Sequence, residues 1–373
     1  MVSPKSCVAD LKPYINGAHS AELLKKSSKV MKLDSNESTM VTSPRVIGAL
    51  TQFIQQSPLQ WYPDVASTEL IVQLAQYTGL PPEWIQTFNG SDHALETICR
   101  TYLGRGDEVI LCMPTYDHFR VYAESCEATL IPVFSKNIFQ SKTSEIIAAI
   151  SEKTKIIYLV NPNNPTGMMY TEGEIRNILK SAPEALIIVD EAYFEFCGVT
   201  VISLLKEFSN LAITRSFSKA FGLASLRCGY TLTHPQNLES INKIRIGKNI
   251  NSLAQVAACK ALEDCDFMQS YVAEVTTARE WLVAKFFREG FCAVATRANY
   301  ILLQVAQPQA VVNFLREKNI YIRDRSMLPQ MEGFVRITIG HLHLMERFWK
   351  IFQQIPTSFL LTPSWDRKNV KIS

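Results

Sequence analysis

The chain of 373 residues contains no stretch of roughly 18 uninterrupted apolar residues, which excludes a conventional membrane-spanning helix. It also lacks any long Lys/Arg run, and 38 basic against 35 acidic side chains leave a formal charge of only +3. Neither nucleic acid nor an anionic membrane is an expected partner. The nine cysteines, at positions 7, 99, 112, 126, 197, 228, 259, 265 and 292, never fall into C-x-x-C spacing. Odd in number and set mostly in apolar context, they read as buried thiols of a reducing cytoplasm, not as a disulfide or zinc framework. Histidine is scarce, and the close pair His341 and His343 has no acidic or cysteine partner at ligand spacing. No metal is expected. Met1 to Tyr14 carries Lys5, Asp10 and Lys12 in place of an apolar h-region, so no signal peptide is expected there. Internal repeats and low-complexity linkers are missing too.

What is present is an ordinary globular composition, 47% apolar with a mean hydropathy of +0.02. At roughly 100–200 residues per domain, the length predicts two or three domains. Apolar, β-rich runs at Glu108–Cys112, Thr129–Phe134, Lys155–Val160, Ala185–Val189, Leu211–Arg215 and Arg227–Leu232 read as strands. Helical periodicity at Ser67–Tyr77, Ser91–Tyr102 and Thr171–Lys180 alternates with them. This is the pattern of an α/β domain whose mostly parallel sheet is covered on both faces. From about residue 250 the character changes. A long helical stretch, roughly Ser252–Glu289, precedes a strand near Tyr300–Val305, a helix near Gln309–Lys318, a strand near Val335–Ile339 and a helix near Leu344–Gln354. The expected division is a large domain over 41–250 and a smaller, discontinuous α+β domain from 1–40 and 251–373. The tail after Pro356 is polar and is expected to be poorly ordered or tied to a partner subunit.

The most informative segment is Arg215-Ser-Phe-Ser-Lys219-Ala-Phe-Gly-Leu-Ala-Ser-Leu-Arg227, a strand end running into a turn. A lysine among apolar and small residues, beside another cation, is disfavoured in its charged form, as a Schiff-base lysine requires. Ser216, Ser218 and Arg227 supply the donors a phosphate needs. On these residues alone, a surface lysine and arginine flanking a turn remains the competing reading.

The wider pattern resembles the fold-type I pyridoxal-phosphate enzymes, specifically the class I/II aminotransferases and their histidinol-phosphate aminotransferase group. The resemblance spans about residues 10–352 and is carried, in order, by Pro13-Tyr14, Leu33-Asp-Ser-Asn-Glu37, Trp61-Tyr-Pro-Asp64, Asn89-Gly-Ser-Asp92 and Pro114-Thr-Tyr116. Asn161-Pro-Asn-Asn-Pro-Thr-Gly167, Asp190-Glu-Ala-Tyr193, the Lys219 segment and Arg336-Ile-Thr-Ile-Gly340 complete it. It implies an aspartate aminotransferase-like fold, pyridoxal 5'-phosphate as cofactor, and a small-molecule amino substrate.

By the same resemblance, Lys219 forms the Schiff base and moves the proton, and Asp190 faces the pyridine nitrogen. Asn164 and Tyr193 donate to the phenolate oxygen, and Tyr116 stacks on the ring. Ser91, Asp92 and His93 open a helix that receives the phosphate together with Ser216, Ser218 and Arg227. Tyr62 reaches the phosphate from the neighbouring subunit, which implies a homodimer with shared active sites. Arg336 grips the substrate's anionic group, and Arg323, Asn36 and Tyr14 line the same pocket.

Three departures stand out. His93 replaces an acidic residue, Ser38-Thr39 replaces Asn-Pro, and His341-Leu-His343 replaces a Thr followed by paired acids. They fall in or near segments expected to face the substrate. The leading expectation is a cytoplasmic aminotransferase acting on an amino acid or phosphorylated amine. The alternative is elimination or cyclodehydration of a γ-substituted, hydroxylated arginine-type amino acid on the same cofactor site. A ligand-sensing DNA regulator is disfavoured, because the core pattern begins by about residue 30 and leaves no room for a DNA-binding module.

Overall fold

A computed structural model describes residues 2–15, 17, 23, 25 and 29–360. The strands are β1 (Met31–Lys32), β2 (Ile85–Phe88), β3 (Glu108–Cys112), β4 (Thr129–Val133), β5 (Thr154–Val160), β6 (Leu186–Asp190) and β7 (Leu211–Ser216). They continue as β8 (Gly229–Thr233), β9 (Ala293–Ala295), β10 (Tyr300–Gln304), β11 (Ile320–Tyr321), β12 (Arg323–Asp324) and β13 (Phe334–Thr338). Helices that bear on the site are α1 (Ser6–Ala9), α2 (Gly90–Tyr102), α3 (His118–Ser125), α4 (Ser252–Glu263), α5 (Cys265–Arg288), α6 (Pro308–Glu317), α7 (Leu342–Phe352) and α8 (Thr357–Leu360).

Seven strands form one sheet in the order β2-β8-β7-β6-β5-β3-β4. From β7 to β4 every pairing is parallel, and β8 runs antiparallel to both β7 and β2. The central strands β5, β6 and β7 are buried almost throughout, as continuous Ile/Val/Leu runs covered on both faces must be. Their carboxyl ends, Val160, Asp190 and Ser216, therefore open side by side at one edge of the core, where open α/β sheets place their ligands. A second sheet, β12-β13-β10-β9, is antiparallel throughout. The N-terminal segment joins it: β1 pairs in parallel with β11, and Thr338 N–H donates to Leu33 O at 2.9 Å.

Where sequence and structure differ, local chemistry explains it. The helical stretch expected over 252–289 consists of two helices that meet at Asp264, whose φ of −115° and ψ of 41° are non-helical. Its carboxylate instead accepts from Ser43 Oγ at 2.5 Å. Strand β2 escaped the pattern because Ile-Gln-Thr-Phe holds two polar residues in four, yet all four are buried. Of the nine cysteines, none in a disulfide, Cys99, Cys112, Cys228 and Cys259 are buried, and the rest are half-exposed at element ends and loops. Just beyond Pro356 the chain is helical and docked, with Leu360 buried and Gln307 N–H donating to Phe359 O at 3.0 Å. The rest of the expected tail, 361–373, lies outside the described residues. No helix of the described residues is long and apolar enough to cross a membrane.

One buried ion pair fixes the floor of the site. Arg215, on β7, donates through Nε and Nη2 to Glu191 Oε2 at 2.9 and 2.8 Å, and its guanidinium lies 3.7 Å from the centre of the Phe194 ring. Glu191 also accepts from Val201 N–H and Thr200 Oγ1, so the pair pins the segment after β6 against β7. Arg215→Met should strand the Glu191 carboxylate in the core and lower stability by about 3–5 kcal/mol. Urea titration followed by tryptophan fluorescence measures this, and an unchanged midpoint would contradict the role given to the pair.

Candidate active site

A cavity of about 160 Å³ lies at the carboxyl ends of β5, β6 and β7. Its lining includes Asp190, Tyr193 and Asn164 on the sheet side and Ser216, Ser218, Lys219 and Arg227 from the turn after β7. Ser91, Asp92 and Tyr116 close one end, Arg323 and Arg336 line the wall beyond, and Tyr14 meets the Tyr116 ring edge-on at 5.9 Å.

At the first end, the N-terminus of α2 carries backbone N–H groups that no helical carbonyl satisfies. Gly90, at φ +81°, has no room for a side chain: a Cβ there would sit 2.5 Å from Arg227 Nη2. Gly229 likewise faces Ser91 N at 2.5 Å from its would-be Cβ, so the two glycines let the turn and the helix start touch. Arg227 is itself in the left-handed region at φ 55°, a strained backbone for arginine that places its guanidinium against the cup. Its Nη2 meets Asp92 Oδ2 at 3.0 Å and its Nη1 meets Ser218 Oγ at 3.3 Å. Asp92 Oδ1 accepts from the Tyr116 hydroxyl at 2.8 Å, which holds that ring at the cavity wall.

Asp190 forms the middle. Its carboxylate accepts from Tyr158 OH at 2.8 Å and Ala192 N–H at 3.2 Å, and no cation pairs with it among the described residues. Burial, opposed chiefly by the Tyr158 hydrogen bond, raises its pKa to about 6. Tyr158 is held in turn by stacking on Phe119 at 3.9 Å. Lys219 Nζ donates to Ser35 O at 3.1 Å and stands 6.0 Å from the centre of the Tyr193 ring. Burial first, then the positive charge of Arg336, lowers its pKa to about 8. The cations acting on it are thus Arg336 and Arg227. Arg215, close in sequence, is spent on Glu191.

In the Asn-rich turn the side chains divide their work. Asn161 ties to the Tyr170 backbone, and Asn163 to Pro114 O, Thr115 and Thr166. Asn164 is the one that lines the cavity, accepting from Arg336 Nη1 at 2.7 Å. Arg336 Nη2 donates to Asp34 O at 2.6 Å.

Not every expected residue comes into the lining. His93 lies edge-on to Phe88 at 5.7 Å, one position past the pair that faces the cavity. Asn36 is buried outside the lining and acts through Tyr193, donating Nδ2–H to its hydroxyl at 2.8 Å. Tyr62 is 75% exposed, with Lys248 Nζ 3.6 Å from its ring centre, and is remote from this chain's own cavity. None of the three departures lines the cavity: His341 binds Glu274 of α5 at 2.8 Å, and Ser38 lies against Gly222. Among the lining or supporting residues that escaped the sequence reading are Arg325, Ser35 and Tyr158. Two-residue parity could have revealed Arg325, which follows Arg323 on the same face of an extended segment.

The set fits pyridoxal phosphate on grounds internal to this structure. The α2 N-terminus, both serines and Arg227 suit its phosphate. Asp190, raised by burial and with no cation paired to it among the described residues, suits a protonated ring nitrogen. A depressed lysine suits its aldehyde.

Comparison with known proteins agrees. A family model described as "Aminotransferase class I and II" matches residues 28–350. A dihydroxyacetone phosphate transaminase of Campylobacter jejuni is 38% identical over 340 residues, covering 89% of this chain and 92% of that one. A histidinol-phosphate aminotransferase of Ruminiclostridium cellulolyticum is 35% identical over 318 residues, covering 83% and 88%. In fold, the chain is similar to the crystal structure of histidinol-phosphate aminotransferase from Sinorhizobium meliloti in complex with pyridoxal-5'-phosphate, with a TM-score of 0.85, 23% identity, and 96% and 98% coverage. With transaminases as relatives, the eliminating or cyclising alternative is not favoured.

Gly90→Ala should push Arg227 off the cup. Loss of one charge-assisted contact predicts pyridoxal phosphate binding weakened by at least about tenfold. Equilibrium dialysis of the apoprotein reads this directly, and unaltered affinity would remove Arg227 from the phosphate site.

Proposed function

The chain belongs to the class I and II aminotransferases, and from that membership we propose that it exchanges the amino group of a small phosphate-bearing amine, using pyridoxal 5'-phosphate. The observation that carries the reading is that Lys219, Asp190 and an arginine wall share one cavity. Dihydroxyacetone phosphate and histidinol phosphate, named for the relatives, share one chemistry: a phosphate ester on the carbon next to the one that exchanges the amine. An arginine wall beyond the lysine suits that arrangement.

Bound pyridoxal phosphate supplies an aldehyde carbon and an electron-withdrawing ring. This chain supplies the rest. Lys219 Nζ, neutral in a fair fraction near pH 8, is both nucleophile and carrier of the proton that moves at the substrate carbon. Asp190 keeps a positive charge opposite it, and Tyr158 keeps Asp190 in place. Asn164 and Tyr193 would hold the ring's oxygen and Tyr116 would pack against its face. Arg336 and Arg323, with Tyr14, orient the substrate anion.

We assign Tyr62 to the cavity of a second copy. Its exposure, with Trp61 72% exposed beside it and Ile54 and Leu59 exposed nearby, suits a face that another subunit covers. Nine thiols without a disulfide support a reducing cytoplasm. The two sheets support the partition into a large unit over 41–250 and a smaller discontinuous one.

Mixing holoenzyme with serinol phosphate or histidinol phosphate, without keto acid, should convert the cofactor stoichiometrically to its amine form, read by absorbance. Conversion only by carboxylate-bearing amino acids would overturn the substrate class. A second test concerns pH. The neutral amine of Lys219 increases as pH rises through its depressed pKa, so the rate of cofactor capture by apoenzyme should climb about tenfold per pH unit below 8 and level off above it. Arg336→Met removes a cation that lowers this pKa and should move the inflection upward; a downward or absent shift would contradict the electrostatic account.

A further inference from the structure

Beyond the residues expected from sequence, the cavity holds a third arginine on its outer wall. Arg323 sits directly across from Arg336 in the β12–β13 ladder. Arg325 follows two residues later, with its N–H donating to Phe334 O at 2.9 Å, so the extended chain returns its side chain to the same face. All three arginines line the cavity. Like charges facing each other across adjacent strands are destabilising. Here burial and the two neighbouring guanidiniums push the pKa of Arg325 down. A guanidinium remains protonated in proteins, so that direction measures how poorly the cluster tolerates the charge.

The three differ in their engagements. Arg336 uses both terminal nitrogens on Asn164 and Asp34, and Arg323 donates to Ile15 O. Arg325 forms no side-chain hydrogen bond or ion pair among the described residues, and its buried Nε has no partner there. Position separates them too. Arg323 and Arg325 also line the wider opening outside the cavity, whereas Lys219 and Arg336 line only the inner one.

We propose that Arg325 is a specificity-determining residue that, together with Arg323, selects a doubly charged phosphate ester over a carboxylate at the mouth of the cavity. This rests on the reading of the substrate as a phosphate-bearing amine and adds the residue that reads the charge. A carboxylate can neutralise one guanidinium. A phosphate monoester carries close to two charges at neutral pH and three acceptor oxygens, enough to engage two forks at once. The amine end then lies inward at Lys219 and the ester outward.

The test uses holoenzyme with two probes, inorganic phosphate and acetate, each titrated by its perturbation of the cofactor absorbance. Wild type should bind phosphate at least tenfold more tightly than acetate. Arg325→Met should weaken phosphate at least tenfold and acetate less than twofold. Arg325→Lys keeps the charge but not the fork, and should weaken phosphate several-fold with acetate unchanged; it carries the test if the Met variant fails to fold. Absence of phosphate preference in wild type, or equal weakening of both probes in either variant, overturns the proposal. Phosphate selectivity through Arg325 in an enzyme that fails to transaminate phosphate-bearing amines would instead overturn the substrate reading and leave this one standing.

Discussion

Lys219 and Asp190 occupy one water-poor cavity without pairing, and the rest of the site follows from that separation. Each is pushed toward the form that water would disfavour: burial lowers the pKa of the amine to about 8 and raises that of the carboxyl to about 6. Had they met, each would have stabilised the other's charge and neither shift would exist. The lysine comes from the turn after β7, the carboxylate from the tip of β6, and Ser35 O takes the amine's hydrogen bond instead. A protonated pyridoxal phosphate ring held in this cavity would relieve the carboxylate and leave the amine free to react. Arg336 adds to the effect by sitting close enough to Lys219 to depress it while holding Asn164 and Asp34.

Strand parity is the device that keeps such charges sorted. Asp190 and Glu191 are adjacent carboxylates with opposite fates: one lines the cavity, and the other neutralises Arg215 beneath it. Arg215 and Ser216 alternate in the same way on β7, and Asn163 and Asn164 divide likewise in the turn after β5. A one-residue slip of β6 against β7 would deliver Glu191 to the cofactor and bury Asp190 where Arg215 waits. The Glu191 contacts to Thr200 and Val201 oppose that slip, which ties the stability of the floor to the accuracy of the site.

This division also explains what could be read from the sequence. The strands β3, β5, β6 and β7 were legible because each is a continuous apolar run, and Lys219, Asp190 and Arg227 because short motifs fix them locally. Beyond that, pattern failed wherever tertiary contact decides. Nothing local marks Tyr158 in Ile-Ile-Tyr-Leu-Val as the support of Asp190; the cross-strand register does. Adjacency misled for His93, which turns to Phe88, and for Arg215, whose nearness in sequence to Lys219 hides its pairing with Glu191. Periodicity marked the helical stretch over 252–289 but not the break at Asp264, whose carboxylate has its partner in Ser43 on a distant segment.

The departures at Ser38-Thr39, His93 and His341-Leu-His343 bear on substrate only through packing. Gly340 leaves too little room for a side chain beside Thr39, at 2.6 Å, and Gly222 lies against Ser38, so that loop fills space between the Lys219 turn and the start of α7. His341 pairs with Glu274 and stacks on His343 at 5.4 Å, joining α5 to the start of α7, and neither histidine lines the cavity. Changes there can tilt a wall, yet they add no charge to the cavity. The charges that can discriminate among substrates sit on the extended segment 323–325 and on Arg336 across the ladder from it. Since the antiparallel register aligns those guanidiniums, the same hydrogen bonds that build the small sheet set the spacing at which an anion is read.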